Sequence, residues 1–307
     1  MSTHAPYAPQ SRSARTVTLP ATLDEAVAAL AAVPAAVPVA GGTDLMASIN
    51  AGQLRPAALV SLSRISEIRG WRYQDGMALL GSGLTLARMG RPDFAALIPA
   101  LASAARAAGP PQIRNVGTLG GNIITAAHTG DTLPVLAALE ATLVVVGPGG
   151  ARRDVPVSHL FAGMEMLRPS ELVSHVRVPF LHAPQAYLRA TGRTGPARAT
   201  ASVAVVLDPA HRGVRCAVGA VAPMPLRPLE AERWVASLID WSRVSEPGAQ
   251  ALAPEALQAF GDYVAMACIP DPPATEGGEP AALPPAAVHL RRTVAALARR
   301  GLGRALT

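Results

Sequence analysis

Two glycine-rich stretches decide how this chain folds: AGGTDL at residues 40–45 and QIRNVGTLGGNI at residues 112–123. In the first, a short apolar run ends in a glycine pair before a predicted helix, so backbone N–H groups can converge on an anionic oxygen without obstruction by a Cβ. Residues 117–123 repeat this arrangement, with a threonine and an asparagine beside the glycines. Two such loops suit a pyrophosphate. A single glycine pair is more typical of a tight turn, and neither stretch is the Gly-x-Gly-x-x-Gly turn of a Rossmann fold.

The basic residues exclude several kinds of chemistry. All 27 of them are arginines, because the 307-residue sequence contains no lysine. A Walker A phosphate loop, a pyridoxal Schiff base and a lysine nucleophile each need an amine that this chain lacks. The net charge of +6 would suit a nucleic acid, yet none of the three Trp, four Tyr and four Phe lies in a basic cluster that could stack on bases. We therefore predict no nucleic-acid partner.

Cysteine and histidine usage predicts no metal centre in this chain. Cys216 and Cys268 are only two thiols, whereas an iron–sulfur cluster usually takes four. We interpret them as buried free thiols in a reducing compartment. The seven histidines show no spacing typical of metal ligands.

No apolar run approaches the ~20 residues of a membrane helix, and the first residues lack the apolar core of a secretory signal. The sequence thus predicts a cytoplasmic protein without a membrane span.

The first half of the chain contains two kinds of sequence pattern, which predict two different units of structure. The sequence TLDE at residues 22–25 predicts a helix N-terminus, and apolar runs at residues 37–40 and 59–62 predict short strands in a small, parallel α/β unit. Farther along, Asp75-Gly76 and the glycines of residues 147–150 are hairpin signals, which indicate an antiparallel α+β unit. That second unit should also contain one helix over residues 94–108, ended by Gly-Pro-Pro.

A break near residues 179–184 introduces a third, C-terminal α+β unit. Residues 202–222 predict two paired strands around one turn, and helices follow. Residues 270–285 are rich in Pro, Gly and acidic side chains, and we predict a flexible segment there. The last helix, at residues 286–305, carries five arginines and no acidic residue, which favours a solvated helix face; contact with a partner subunit is the alternative.

The two glycine stretches carry a family resemblance. Residues 112–123, followed by Asp131 and Pro134, closely resemble the second flavin motif of the medium subunits of xanthine dehydrogenase and carbon monoxide dehydrogenase, and residues 40–45 are similar to the first. Further matches are Glu171 and the Ala-Val-Ala-Pro that precedes Arg227. The resemblance spans most of the chain.

This resemblance implies a domain organisation and a set of binding residues. We expect an FAD-binding domain over about residues 15–180, built from subdomains of about 15–70 and 71–180 with FAD between them, and a C-terminal flavoprotein domain over about 185–307. The implied cofactor-binding residues are Ala40, Gly41, Gly42, Thr43, Asp44, Leu45, Thr118, Gly120, Gly121, Asn122, Thr125, Asp131, Leu172 and Arg189.

Three of these residues have separate expected roles. Asp131 resembles an acidic position on the adenosine-ribose side of FAD. Leu172 matches an apolar position against the isoalloxazine, although a core residue of a strand is the alternative. Arg189 stands where relatives often have a lysine near the flavin, and a guanidinium presents its charge as a planar fork. Flavin potential and acceptor preference therefore cannot be transferred from the family.

The implied function is electron transfer by an FAD subunit of a molybdenum hydroxylase. An iron–sulfur subunit would deliver the electrons, and a molybdopterin subunit would oxidise the organic substrate, in a heterotrimer or a dimer of heterotrimers. Iron–sulfur clusters and molybdopterin are expected only in those partners, and no catalytic residue is predicted here. Two alternatives remain open: a stand-alone flavin oxidase, which would need an acid or base near the ring, and a scaffold subunit that has lost its flavin.

Overall fold

In a computed structural model of the chain, the strands of the described residues form three separate sheets. The structure describes residues 16–125, 129–181, 183–192, 198–244, 250–270 and 283–307. Helices accompany all three sheets, so the α+β class predicted from the sequence is confirmed. Each sheet falls within one of the three predicted units, while the division into domains stays a prediction.

The first sheet is parallel, with its three strands in the order β1-β3-β2, as the alternation of strands and helices predicts. Thr22 caps the first helix by accepting a hydrogen bond from the N–H of Glu25 at 3.2 Å, which confirms the predicted helix start. The elements are β1 (Thr16–Thr18), α1 (Leu23–Ala32), β2 (Ala36–Val39), α2 (Thr43–Asn50) and β3 (Ala58–Ser61).

The second sheet is antiparallel and has the strand order β4-β5-β8-β6-β7. Both predicted hairpins are confirmed. Asp75 and Gly76 join β4 to β5 with φ values of 51° and 73°, as the two central residues of a type I′ turn require. The strands are β4 (Trp71–Gln74), β5 (Met77–Gly81), β6 (Thr142–Val146), β7 (Arg152–Pro156) and β8 (Leu172–Pro179).

Short helices surround the second sheet. The single helix predicted over residues 94–108 is wrong, because two helices meet there at Pro99. Proline disfavours helical geometry in the residue before it, and Ile98 indeed has φ −137° and ψ 81°. The helices are α3 (Leu86–Met89), α4 (Pro92–Leu97), α5 (Pro99–Ala107), α6 (Pro111–Val116), α7 (Leu119–Thr125), α8 (Thr132–Ala138) and α9 (Val157–Phe161).

The third sheet is antiparallel, in the order β11-β10-β9. The pair β10–β11 and its turn confirm the predicted hairpin, although β11 ends at Gly219, and β9 is a strand that the pattern does not predict. The elements are β9 (Gln185–Thr191), β10 (Ala199–Asp208), β11 (Gly213–Gly219), α10 (Leu229–Ala236), α11 (Pro254–Cys268) and α12 (Pro285–Leu306). Most of the predicted flexible segment, residues 271–282, lies outside the described residues.

Strand β10 separates two hydrophobic cores. Ala204 and Val206 belong to the core that contains α5 and α8, whereas Val203 and Val205 belong to the core that contains α11 and α12. Because β10 is buried on both faces, its sequence is a continuous apolar run instead of an alternating one. The second core also contains Cys216 and Cys268, which are buried free thiols, as predicted. Among the described helices, none combines the length and the apolar character that a membrane span requires.

Candidate functional site

The structure brings the two glycine stretches into direct contact. The first loop (residues 40–45) joins β2 to α2, and the second loop (residues 117–123) leads into α7. A Cβ added to Gly41 would lie 2.1 Å from the carbonyl oxygen of Val116 and 3.0 Å from the Cα of Gly117. Only glycine permits this approach, so its sequence position is explained by the contact between the loops.

The first loop leaves backbone donors free at the start of α2. Gly42 has φ 71°, and no side chain caps the helix. The first hydrogen bond of the helix runs from the N–H of Met46 to the carbonyl of Gly42 at 2.9 Å. The N–H groups of the residues between them therefore have no acceptor within the helix. Together with the helix dipole, they form an anion-binding end. The capped helices α1 and α3, by contrast, have Thr22 and Thr85 at the same position.

The second loop differs from the expectation, because its backbone donors are already used within the protein. The N–H of Gly120 donates to the carbonyl of Ser82 at 2.7 Å, and the N–H of Leu119 donates to Leu84 at 2.9 Å. The N–H groups of Gly121 and Asn122 donate to the hydroxyl and carbonyl oxygens of Thr118. These four groups are therefore not a second set of anion donors, contrary to the sequence-based prediction.

Side chains of the second loop remain available instead. The hydroxyl of Thr132 donates to Oδ1 of Asn122, which leaves the amide NH₂ of Asn122 free to donate. The Thr118 hydroxyl accepts from Gly121 and keeps its own hydrogen for another acceptor. Among the described residues, the only atom within 4 Å of a Cβ built on Gly121 is the Thr118 hydroxyl oxygen, at 3.0 Å. As far as the described residues show, the space over Gly121 is otherwise open.

A buried charged group lies beside α8, at the contact with β9. Asp131 is only 6% exposed. Its Oδ1 accepts a hydrogen bond from the Tyr187 hydroxyl at 2.5 Å, and Nη1 of Arg189 is 3.1 Å from both carboxylate oxygens. Burial raises the pKa of the Asp131 carboxyl above its usual value, while Tyr187 and Arg189 oppose part of that rise. Burial and the neighbouring carboxylate raise the pKa of Tyr187, which keeps its phenol protonated as a donor.

The structure places Asp131 and Arg189 in direct contact, although the resemblance assigns Asp131 to the adenosine end of FAD and Arg189 to the ring end. Oδ1 of Asp131 accepts from Tyr187 and Arg189, and Oδ2 lies 3.1 Å from the same Arg189 nitrogen. Each carboxylate oxygen has two acceptor sites, so Asp131 retains the capacity to accept from a ribose hydroxyl. Both assignments stay predictions.

Leu172 and Thr125 occupy different environments. Leu172 is 4% exposed and packs with α1 and β3 in a third hydrophobic core, so its position favours the strand-core alternative. Its contact with the isoalloxazine stays a prediction. Thr125 is exposed at the end of α7. In the first loop, Ala40, Thr43 and Leu45 are half-buried, and Asp44 is exposed and accepts from the Thr43 hydroxyl at 3.1 Å.

Sequence reasoning missed three residues that shape the site. Ser82 supports the backbone of Gly120, Thr132 orients the amide of Asn122, and Tyr187 binds Asp131. The sequence could have indicated Tyr187, since it lies two positions before Arg189 and side chains at i and i+2 share one face of a strand.

Within the described ranges, no group of three His, Cys, Asp or Glu side chains could hold a metal ion.

Comparisons with known proteins identify the family to which this chain belongs. The family described as "FAD binding domain in molybdopterin dehydrogenase" matches residues 12–181, more than half of the chain. The carbon monoxide dehydrogenase medium chain of Hydrogenophaga pseudoflava is 36% identical over 219 residues, which cover 68% of this chain and 75% of that relative. The xanthine dehydrogenase FAD-binding subunit of Escherichia coli O157:H7 is 30% identical over 225 residues, covering 69% of this chain and 76% of the relative.

Solved structures extend the similarity to nearly the whole chain. A chain of the Hydrogenophaga pseudoflava carbon monoxide dehydrogenase that lacks the Mo-pyranopterin moiety of its molybdenum cofactor is similar with a TM-score of 0.75 and 28% identity. The match covers 95% of this chain and 96% of that chain. The resemblance predicted from the two glycine stretches is thereby confirmed.

Proposed function

Since the chain belongs to the family of FAD-binding domains in molybdopterin dehydrogenases, we propose that it passes electrons from an iron–sulfur subunit through FAD to an external acceptor. The observation that carries this proposal is the cradle between the two loops. The first loop carries N–H groups of α2 that no side chain caps, the second loop carries the Thr118 hydroxyl and the Asn122 amide, and the two loops touch at Gly41. Such a donor set fits the two negative charges of a pyrophosphate.

The two loops hold the cofactor in different ways. The first loop would supply the backbone N–H groups of Thr43, Asp44 and Leu45 together with the dipole of α2. The second loop would supply the Thr118 hydroxyl and the Asn122 amide. FAD, once bound, supplies the capacity to exchange electrons singly or in pairs. The protein itself binds and orients the cofactor and sets the charge around it.

Arg189 is the cation that we assign to the ring end of the site. Its side chain is 19% exposed and is held by the buried carboxylate of Asp131. A positive charge beside a flavin favours the electron-rich reduced form by simple Coulomb attraction. Because only one Arg189 nitrogen is within hydrogen-bond distance of Asp131, the other guanidinium donors are available for the cofactor.

Partner subunits complete the proposed activity. The relatives with the names given above are the medium chain and the FAD-binding subunit of larger enzymes. We propose the same position for this chain, with iron–sulfur and molybdopterin subunits as partners in a heterotrimer or a dimer of heterotrimers. The organic substrate would be oxidised in the molybdopterin subunit, and a cytoplasmic location stays a prediction.

The two alternatives are less well supported. A stand-alone oxidase needs an acid or a base that is free to meet its substrate. The only buried acid that the described residues place beside Arg189 is Asp131, and its carboxylate is held by Tyr187 and Arg189. A scaffold that has lost flavin would not need the uncapped start of α2, where N–H groups have no acceptor within the helix.

The proposal is tested by purifying the chain alone and with its partners, and by identifying the released cofactor. We expect one non-covalent FAD per chain. In anaerobic mixing, followed by flavin absorbance near ~450 nm, aldehydes and N-heterocycles should bleach the flavin of the complex. They should leave the flavin of the lone chain oxidised, although dithionite reduces it.

Two outcomes would contradict the proposal, and each points to one alternative. Bleaching of the lone chain by an organic substrate would show a stand-alone oxidase. A protein that refuses FAD both alone and in the complex would show a scaffold.

A further inference from the structure

We propose that Tyr187 is a positioning residue: its phenol holds the Asp131 carboxylate, and this carboxylate fixes the Arg189 guanidinium at the flavin. The inference rests on the proposed function, because it assigns a purpose to Arg189 at that site. It adds a residue that touches neither the cofactor nor the acceptor and acts through a chain of two contacts.

The geometry of β9 supports the first step. Tyr187 and Arg189 lie two residues apart on one strand, so both side chains point to the same face and meet Asp131 there. Leu188, between them, packs against the other core. Tyr187 is a buried residue, and its hydroxyl is 2.5 Å from Oδ1 of Asp131, the oxygen that Arg189 also contacts.

The second step is the effect of the phenol on Asp131. A buried carboxylate is costly unless its oxygens accept hydrogen bonds. Among the interactions that lower the pKa of Asp131 against burial, the Tyr187 hydrogen bond is the largest and the charge of Arg189 is next. Without the phenol, the carboxyl would take up a proton at a higher pH. A neutral acid no longer attracts a guanidinium, so Arg189 would be released from its position.

Other charged groups near α8 are engaged elsewhere. The titratable or charged residues on the further elements that pack against α8 are Arg106, His159, Asp208, Arg215 and Cys216. Arg106 donates to the carbonyl of Gly90, and His159 contacts Glu165. Asp208 and Arg215 pair with each other, and Cys216 is a thiol of the second core with a raised pKa. The groups that perturb Asp131 are therefore Tyr187 and Arg189 of β9.

The test compares three FAD-loaded variants with the wild type: Tyr187→Phe, Asp131→Asn and Tyr263→Phe. The flavin midpoint potential is measured as a function of pH, and Asp131→Asn supplies the baseline without a titrating carboxyl. Protonation of Asp131 releases Arg189 from the ring end of the site, and the loss of this positive charge lowers the flavin potential towards that of Asp131→Asn. We expect the wild-type and Tyr187→Phe potentials to fall to the Asp131→Asn baseline as the pH decreases, and the fall to occur at a higher pH in Tyr187→Phe. Tyr263→Phe removes the same atom from the α11 surface and should match the wild type.

Infrared spectroscopy gives a readout that does not depend on the flavin. The band of the protonated Asp131 carboxyl is assigned by its absence in Asp131→Asn, and its appearance should move to higher pH in Tyr187→Phe. If that variant fails to fold, Ser202→Ala replaces it, because Ser202 lowers the pKa of the Tyr187 phenol and so strengthens it as a donor. A weaker phenol donor should then shift the band in the same direction by a smaller amount.

The proposal and the assigned function fail in different ways. Coincident pH profiles for Tyr187→Phe and the wild type, in potential and in infrared titration, would overturn the positioning role. A wild-type protein that carries no flavin would instead overturn the proposed function. In that case, the infrared titration still decides whether Tyr187 controls Asp131.

Discussion

Gly120 and Gly121 are neighbours in the sequence with different physical reasons for being glycine. A Cβ on Gly120 would lie 2.7 Å from the Cβ of Ser82 and 3.0 Å from its carbonyl oxygen. The same atom on Gly121 would meet only the tip of Thr118. The first glycine permits the chain to pack, and the second leaves room in the cradle.

Alanine substitution should separate these two roles. Gly120→Ala forces backbone to move and should lower the free energy of unfolding by about 1–3 kcal/mol in urea titrations. Gly121→Ala should keep the fold, since alanine also gains about 0.5–1 kcal/mol in helix propensity. Its FAD dissociation constant should rise by about tenfold or more, equal to ~1.4 kcal/mol. Equal FAD affinity in Gly121→Ala and wild type would show that α7 does not border the cofactor.

Asn122 permits a nearly isosteric test of the same cradle. Asn122→Asp keeps the oxygen that accepts from Thr132 and replaces the free amide by a second carboxylate oxygen. A donor to a phosphate becomes a like charge, so the FAD dissociation constant should rise by about 10- to 100-fold, or ~1.5–3 kcal/mol. Asn50→Asp, the same change at the far end of α2, is the control. A similar loss in both variants would indicate a general effect of charge.

At the scale of elements, an ion-pair network ties the turn between α8 and β6 to the third sheet and α10. Glu232 is 5% exposed and accepts from Arg227 at 2.6 and 3.0 Å, and also from the N–H of Cys216 at 2.8 Å. Arg227 additionally donates to Glu140, at the end of α8, at 2.7 Å. Glu140 also pairs with Arg215 of β11. The network therefore fixes how the second unit meets the third.

Removal of Arg227 should be far more costly than removal of a surface arginine. Arg227→Met leaves the buried Glu232 without its cation, which should lower the free energy of unfolding by about 3–5 kcal/mol. Arg233→Met removes a partner of Glu230 in a pair whose side chains are 70% and 71% exposed. That change should lower the free energy of unfolding by about 0.2–1 kcal/mol. Chemical denaturation of both variants measures the difference, and comparable losses would mean that Glu232 is stable without a cation.

At the scale of the whole molecule, the sequence predicts elements better than their contacts. The cap at Thr22, the turn at Asp75-Gly76 and the β10–β11 hairpin depend on nearest neighbours, and local residues specify them. The break between α4 and α5 could also have been predicted from the local sequence, because Pro99 disfavours helical geometry at Ile98.

The two glycine loops locate the candidate site from the sequence, and the contacts within it depend on distant residues. Both glycine loops were identified, yet the engagement of the second loop's N–H groups depends on Ser82 and Leu84, more than thirty residues earlier in the sequence. The pairing of Asp131 with Tyr187 joins residues 56 positions apart. No local pattern encodes such contacts, because they exist only after β9 has come to lie beside Asp131, the residue before α8.

Strand β10 has a consequence for how this protein can be handled and how it can evolve. Its alternate side chains complete two interiors, so a fragment ending before β9 would leave α5 and α8 without the surface that covers them. A fragment beginning at β9 would expose Ala204 and Val206 to water. The cofactor half and the C-terminal half should therefore be inherited, expressed and lost together, and a gene fission between them would yield two aggregating products instead of two working modules.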